Sequence, residues 1–147
     1  MPGFEVTAQI EAPIEKVWEF VDKPENELLW QSNATERSVL TEGPIEKGTR
    51  IHLVDRFLGR RMESEWEIVE HYPYYRLDRT VSGPMHLESS WRLEPIENGT
   101  VFTMEVEAAE GTRGMFGKLA DPLVMKMARR DFEANLAKLK DLIEAEI

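Results

Sequence analysis

Apolar and polar residues alternate at the start of the chain: Phe4, Val6, Ala8 and Ile10 are separated by Glu5, Thr7 and Gln9. That period of two predicts a strand with one buried face. At Pro13 the period changes, and Ile14, Val17, Trp18 and Val21 fall on one side of a short helix whose early Glu15 suits the helix dipole. Lys23-Pro24-Glu25-Asn26 breaks it, and Glu27 to Gln31, with Leu28, Leu29 and Trp30, predicts a second short helix. From Ala34 onward alternation returns, punctuated by Gly43-Pro44, Gly48, Gly59, Pro73, Gly83-Pro84 and Asn98-Gly99. The roughly 8 to 14 residues between these breaks are the spacing of an antiparallel meander, and Asn98-Gly99 predicts a two-residue hairpin turn. Over 115–147 the period becomes helical, with Phe116, Leu119, Leu123 and Met127 followed by Phe132, Leu136, Leu139 and Ile143. An angular step between Met127 and Phe132 divides this stripe, so the second half is expected to seal the core and the first to roof something. The predicted order is strand, two short helices, six strands, long helix, with no internal repeat and no linker.

The alternation also assigns faces. Ile51, Leu53, Asp55 and Phe57 point one way on one strand; Met62, Ser64, Trp66 and Ile68 on the next; then Leu77, Arg79 and Val81. Leu87, Ser89, Trp91 and Leu93, then Phe102, Met104, Val106 and Ala108, complete that side. Opposite positions are mostly charged, among them Glu63, Glu65, Glu67, Arg76, Asp78, Glu105 and Glu107, so one side of the sheet meets water. The polar exceptions on the inner side are Asp55, Ser64, Arg79 and Ser89.

Composition narrows the classes. The 147 residues fit one domain, 1–147, and 41% hydrophobic residues with four Trp support a folded core. With 18 basic against 28 acidic residues the net charge is −10, which repels nucleic acid and anionic lipid surfaces. There is no Cys for disulfides or thiolate chemistry, no apolar run long enough to span a bilayer, and the N-terminus lacks a signal-peptide pattern. A cytoplasmic location and no stable membrane insertion are therefore expected; the oligomeric state is left open.

Ala12-Pro13-Ile14-Glu15-Lys16-Val17-Trp18, then Gly48-Thr49-Arg50, Gly83-Pro84, Trp91-Arg92-Leu93-Glu94-Pro95 and Gly99-Thr100 follow one another in order, ending in Asn135-Leu136-Ala137-Lys138-Leu139-Lys140. In this the chain resembles the START-like helix-grip proteins (SRPBCC) and, within them, the polyketide cyclase/dehydrase-like branch. The resemblance implies an α+β helix-grip fold: a curved seven-stranded antiparallel sheet wrapped around a long C-terminal helix, two short helices between the first two strands, and a cavity between sheet and helix. Similar proteins include lipid and hormone binders, aromatic polyketide cyclases, stress-related allergens and chaperone activators. Fold membership does not choose among these. Carried to this chain, the cavity would be lined by Trp30, Leu53, Trp66, Arg79, Trp91 and Met104, and by Phe116, Leu119, Leu123 and Met127 of the helix; the same side chains would also serve simply to fill a core.

Arg79 is the most informative single residue. Leu77 and Val81 on its face predict burial, and a buried cation needs a partner; Asp55 is the candidate by strand parity. Together they suit either chemistry, with Arg79 orienting a carboxylate, phenolate or enolate and Asp55 acting as general base, or a purely structural ion pair. Gly111, Gly114 and Gly117, before the long helix, suit a connecting loop or a hinge at the cavity mouth with Met115 and Phe116 at its tip. His52, His71 and His86 are scattered and read as surface residues, so no metal is expected. No nucleophile elbow or phosphate-binding loop occurs, and no cofactor is implied. Three functions remain: binding of a small hydrophobic molecule (lipid, aromatic or polyketide-like), a cofactor-independent cyclase or dehydratase, and a protein-interaction or chaperone-regulating module.

Overall fold

The opening alternation forms β1 (Gly3–Ile10), and the change of period at Pro13 begins α1 (Ile14–Val21). In this computed structural model, which describes residues 3–57, 59–82, 87–108 and 122–146, Pro13 is extended and its carbonyl accepts the N–H groups of Lys16 and Val17 at 3.0 and 3.2 Å. A 3-10 turn (Pro24–Asn26) and the single-turn α2 (Glu27–Trp30) follow. The strands are β2 (Ala34–Val39), β3 (Arg50–Phe57), β4 (Arg60–Tyr72), β5 (Arg76–Ser82), β6 (Leu87–Ile96) and β7 (Gly99–Ala108), and α3 spans Pro122–Ala145. One seven-stranded antiparallel sheet has the order β1-β7-β6-β5-β4-β3-β2. Register slips at Ala34/Glu36 and Ile68/Glu70 place an extra residue in β2 and β4, the local device that bends a sheet. The result is the α+β helix-grip fold expected from the sequence, with the sheet curved around the C-terminal helix. Gly83-Pro84 and the side chains of Phe57 and Ala108 lie outside the described residues.

Two local expectations are corrected. The β6–β7 turn is Glu97-Asn98, neither at positive φ, with Ile96 and Gly99 as the closing pair. Gly99 is required for a different reason: a Cβ there would stand 2.2 Å from the carbonyl oxygen of Ile10, so only glycine lets the end of β1 close on β7. On α3 the stripe is continuous, running through Val124, Ala128, Phe132, Asn135, Leu136, Leu139 and Ile143, with no step at Met127. Leu123 and Met127 sit one position earlier, turned by about 100° from that face, and are 68% and 49% exposed. The period pointed to the larger side chains, and the small Ala128 is what the sheet accommodates.

One part of the grip is solid. Trp30, Trp91 and Phe102 meet edge-on at centroid distances of 5.6, 6.3 and 5.9 Å, with Ile10, Val17, Leu139 and Ile143 also buried. Full burial of such side chains contributes about 1.5–3 kcal/mol each.

Candidate functional site

The other part is hollow. Antiparallel register sets Leu53 opposite Ser64, Trp66 opposite Val81, and Arg79 opposite Ser89, so inward positions of neighbouring strands converge on one space. These residues border a cavity of about 100 Å³ whose apolar wall also includes Phe4, Met62, Met104, Val106 and Phe132. All four polar residues singled out on the inner face, Asp55, Ser64, Arg79 and Ser89, border it, with Arg37.

Arg79 does not take Asp55 as its partner. Its Nη1 lies 3.2 Å from Oε2 of Glu27, and Nη1 and Nη2 each lie 3.4 Å from Oε1. Glu27 opens α2 and is only 1% exposed; Gln31, one turn on, donates to its Oε1 at 2.6 Å. Arg37, on β2 opposite Leu53, bridges the carboxylates: its Nε is 3.6 Å from Glu27 Oε1 and its Nη1 2.8 Å from Asp55 Oδ1. Asp55 therefore joins Arg79 only through Arg37 and Glu27. The quartet holds two cations and two anions, so its charge is balanced. The Arg79 guanidinium is also stacked between indoles, its Cζ 4.4 Å from the Trp66 ring centre and 4.2 Å from that of Trp91, an arrangement that stabilises a desolvated cation.

Burial pushes the Asp55 carboxyl above its usual range, against the lowering effect of Arg37. Burial lowers the Arg79 pKa below that of a free guanidinium, opposed by Glu27, and the group remains charged. Three indole or guanidinium N–H donors of the cavity wall, Trp66 Nε1, Arg37 Nε and Arg79 Nε, are buried without a hydrogen-bond acceptor among the described residues, as is one acceptor without a donor, Asp55 Oδ1, which has only its ion pair with Arg37.

Of the residues expected to line a cavity, Leu53, Trp66, Arg79 and Met104 do so. Trp30 and Trp91 belong to the solid part of the core, with Trp91 reaching the site only as the floor under Arg79. Met127 borders a separate hollow of about 160 Å³ with Arg56, Val124 and Asp131, which shares Asn33, Ala128 and Phe132 with the cavity and so adjoins it. Leu123 borders neither, and Phe116 and Leu119 lie outside the described residues, as do Met115, Gly111, Gly114, Gly117 and His86. His71 is not a free surface residue: its Nε2 is 2.9 Å from Asp22 Oδ1 and its ring packs 5.3 Å from that of Trp18. Desolvation raises the Asp22 pKa, with the histidine opposing. Glu27 and Arg37 were missed. The signal for Glu27 was its i, i+3, i+4 spacing to Trp30 and Gln31, both buried, whereas Leu28 and Leu29 are exposed. Among the described residues no group of three or more His, Asp or Glu is arranged to hold a metal ion.

A family model described as "Polyketide cyclase / dehydrase and lipid transport" matches residues 1–144. The chain belongs to that family. Its fold is shared by the protein TTHA0849 from Thermus thermophilus, at 23% identity and TM-score 0.81 over 99% of both chains. Ara h 8.0201 is similar at 14% identity and TM-score 0.69 over 97% of both. DynU16, a protein of the dynemicin biosynthetic locus, is 18% identical at TM-score 0.65, over 98% of this chain and 48% of DynU16. No curated protein matches in sequence. Family membership supports a hydrophobic-ligand-binding type of fold, the neighbours share its architecture, and among the described residues no helix is long and apolar enough to cross a membrane.

Proposed function

We propose that the chain binds a small hydrophobic molecule, lipid, aromatic or polyketide-like, in the cavity between its sheet and α3, and that Leu53, Trp66, Arg79 and Met104 touch it. The observation that carries this reading is a space of about 100 Å³ that the core leaves open beside large side chains able to fill it. Interiors normally pack to crystal-like density, so a void bordered by two methionines and a stacked arginine is a feature to be explained. Native mass spectrometry of the purified protein tests it: a retained small mass that vanishes on unfolding is expected, and an empty protein that also fails to take up added small aromatics would overturn it.

A second reading, a cofactor-independent cyclase or dehydratase, draws support from Asp55, whose raised pKa beside the cavity suits a proton-transferring carboxyl. It requires that Asp55→Asn abolish turnover of a bound polyketone while leaving its affinity within about threefold, a difference of less than about 1 kcal/mol.

A further inference from the structure

We propose that the cavity selects a ligand whose polar end is an uncharged hydrogen-bond acceptor, a ketone or related carbonyl, and that it disfavours carboxylates and phenolates. This rests on the binding reading above and specifies the chemistry of its site.

The first ground is charge. Arg79 looks like an anion receptor, but its two terminal nitrogens are already spent on Glu27, whose Oε2 is 3.2 Å from Nη1 and whose Oε1 is 3.4 Å from both. Arg37 holds Asp55 at 2.8 Å and stands 3.6 Å from Glu27. With two cations and two anions in contact, a third carboxylate entering the space would be a net buried charge without a counterion. Such a charge is strongly disfavoured, and the surrounding protein, at net −10, does nothing to relieve it.

The second ground is an excess of donors. On the cavity wall three N–H groups, Trp66 Nε1, Arg79 Nε and Arg37 Nε, are buried with no hydrogen-bond acceptor among the described residues, against one acceptor, Asp55 Oδ1, without a donor. Arg37 Nε faces Glu27 at 3.6 Å and Asp55 Oδ1 faces Arg37 at 2.8 Å, which leaves Trp66 Nε1 and Arg79 Nε as the surplus. A buried N–H without a partner is costly in any fold, and here two occur on residues stacked on each other, the guanidinium carbon 4.4 Å from the indole centre. An indole N–H donates and cannot accept, as does a guanidinium N–H, so the missing partner is an acceptor. A carbonyl oxygen, with two lone pairs and no formal charge, supplies it without disturbing the balanced quartet. The remaining wall of Phe4, Leu53, Met62, Met104 and Val106 takes the apolar body. At about 100 Å³ the space is smaller than the roughly 150 Å³ apolar cavity that admits benzene in another protein, so a single substituted ring reaching toward the adjoining hollow at Asn33, Ala128 and Phe132 is the scale of the guest.

Three probes of one planar skeleton separate the possibilities: acetophenone, benzoate and α-methylstyrene, which differ only in presenting a ketone, a carboxylate or an alkene. Each is titrated into the 15N-labelled full chain, whose four indole N–H signals report on its four Trp. The ketone is expected to bind about tenfold more tightly than the alkene, the ratio that one well-made hydrogen bond confers, and to move the Trp66 indole proton downfield; benzoate is expected to bind weakest. Trp66→Phe keeps a ring under Arg79 but removes one of the two donors, and is expected to narrow the difference between ketone and alkene, with Arg79 Nε left to hold what remains. Alkene binding equal to that of the ketone in the unmodified protein would overturn the acceptor proposal and leave hydrophobic binding standing. Benzoate binding tightest would overturn it in favour of an anion site. Failure of all three to bind would remove both the proposal and the binding reading beneath it.

Discussion

The two parts of the grip are made from the same kinds of residue and end in opposite states. Around Trp30, Trp91 and Phe102 the aromatic rings meet edge-on and are all but fully buried. Around Trp66, Met62 and Met104 comparable side chains border a void. The difference is the charged quartet. Glu27, Arg37, Asp55 and Arg79 hold one another by ion pairs, and the stacking of Arg79 on Trp66 fixes that indole in place. A wall tied down by directional contacts cannot collapse inward as a purely apolar one can. A cavity in a small domain is thus kept open by polar contacts at its border more than by any shortage of hydrophobic volume.

The comparison breaks most severely at Glu27. Glu27→Gln removes the carboxylate that neutralises Arg79, and leaving a buried cation without its partner costs about 3–5 kcal/mol; urea unfolding should show a loss of that order. In the solid part Phe102→Ala should cost about 3–5 kcal/mol through the cavity it creates, whereas Met62→Ala, which only enlarges an existing void, should fall at or below the roughly 2 kcal/mol low end of such changes. Equal losses at the two sites, read from the same unfolding experiment, would erase the distinction between solid and hollow. Ser64→Leu sharpens it in the other direction: filling the void is expected to stabilise the fold by about 0.5–2 kcal/mol while abolishing retention of any small molecule in native mass spectrometry.

The smallest effect is that of pH. The Asp55 carboxyl is raised by burial, so the folded state binds its proton more tightly than the unfolded chain does. Its contribution is fully present below the unfolded value and is lost as pH rises through the raised folded value. Asp22 is raised in the same sense, with His71 opposing. Unfolding free energies measured across the acid range should therefore fall less steeply with rising pH in Asp55→Asn than in the unmodified protein.

The fold was legible because its determinants are local. Alternation from Ile51 to Val106 fixed which face of each strand is buried, and the breaks at Gly48 and Gly59 marked where strands stop, both glycines having positive φ. The site was legible only on the sheet. Leu53, Asp55, Trp66, Arg79 and Met104 were found by parity, since a strand offers two faces and one was visibly charged. Glu27 was hidden because a four-residue helix carries too little pattern to orient, and its exposed Leu28 and Leu29 invert the usual expectation that apolar residues point inward. Arg37 was hidden because β2 has exposed positions on both sides of it, so alternation had no contrast to report. Phe132, Leu136, Leu139 and Ile143 were read in phase, but before them the helix was read one residue out because size outweighed phase: Met127 is the larger side chain, and Ala128 holds the position that follows Val124 and precedes Phe132.

The close approach at Gly99 bears on how the chain folds. Gly3–Ile10 pairs with 100–107 in unbroken antiparallel register, so β1 finds its partner only across about 90 or more intervening residues. The neighbouring pairs from β2 to β7 are formed by successive strands and require little loop closure. Such long-range pairing places the chain among slower folders, in the millisecond-to-second range. β1 is expected to dock last, and a change at its seam such as Gly99→Ala should speed unfolding more than it slows folding, as stopped-flow kinetics would show.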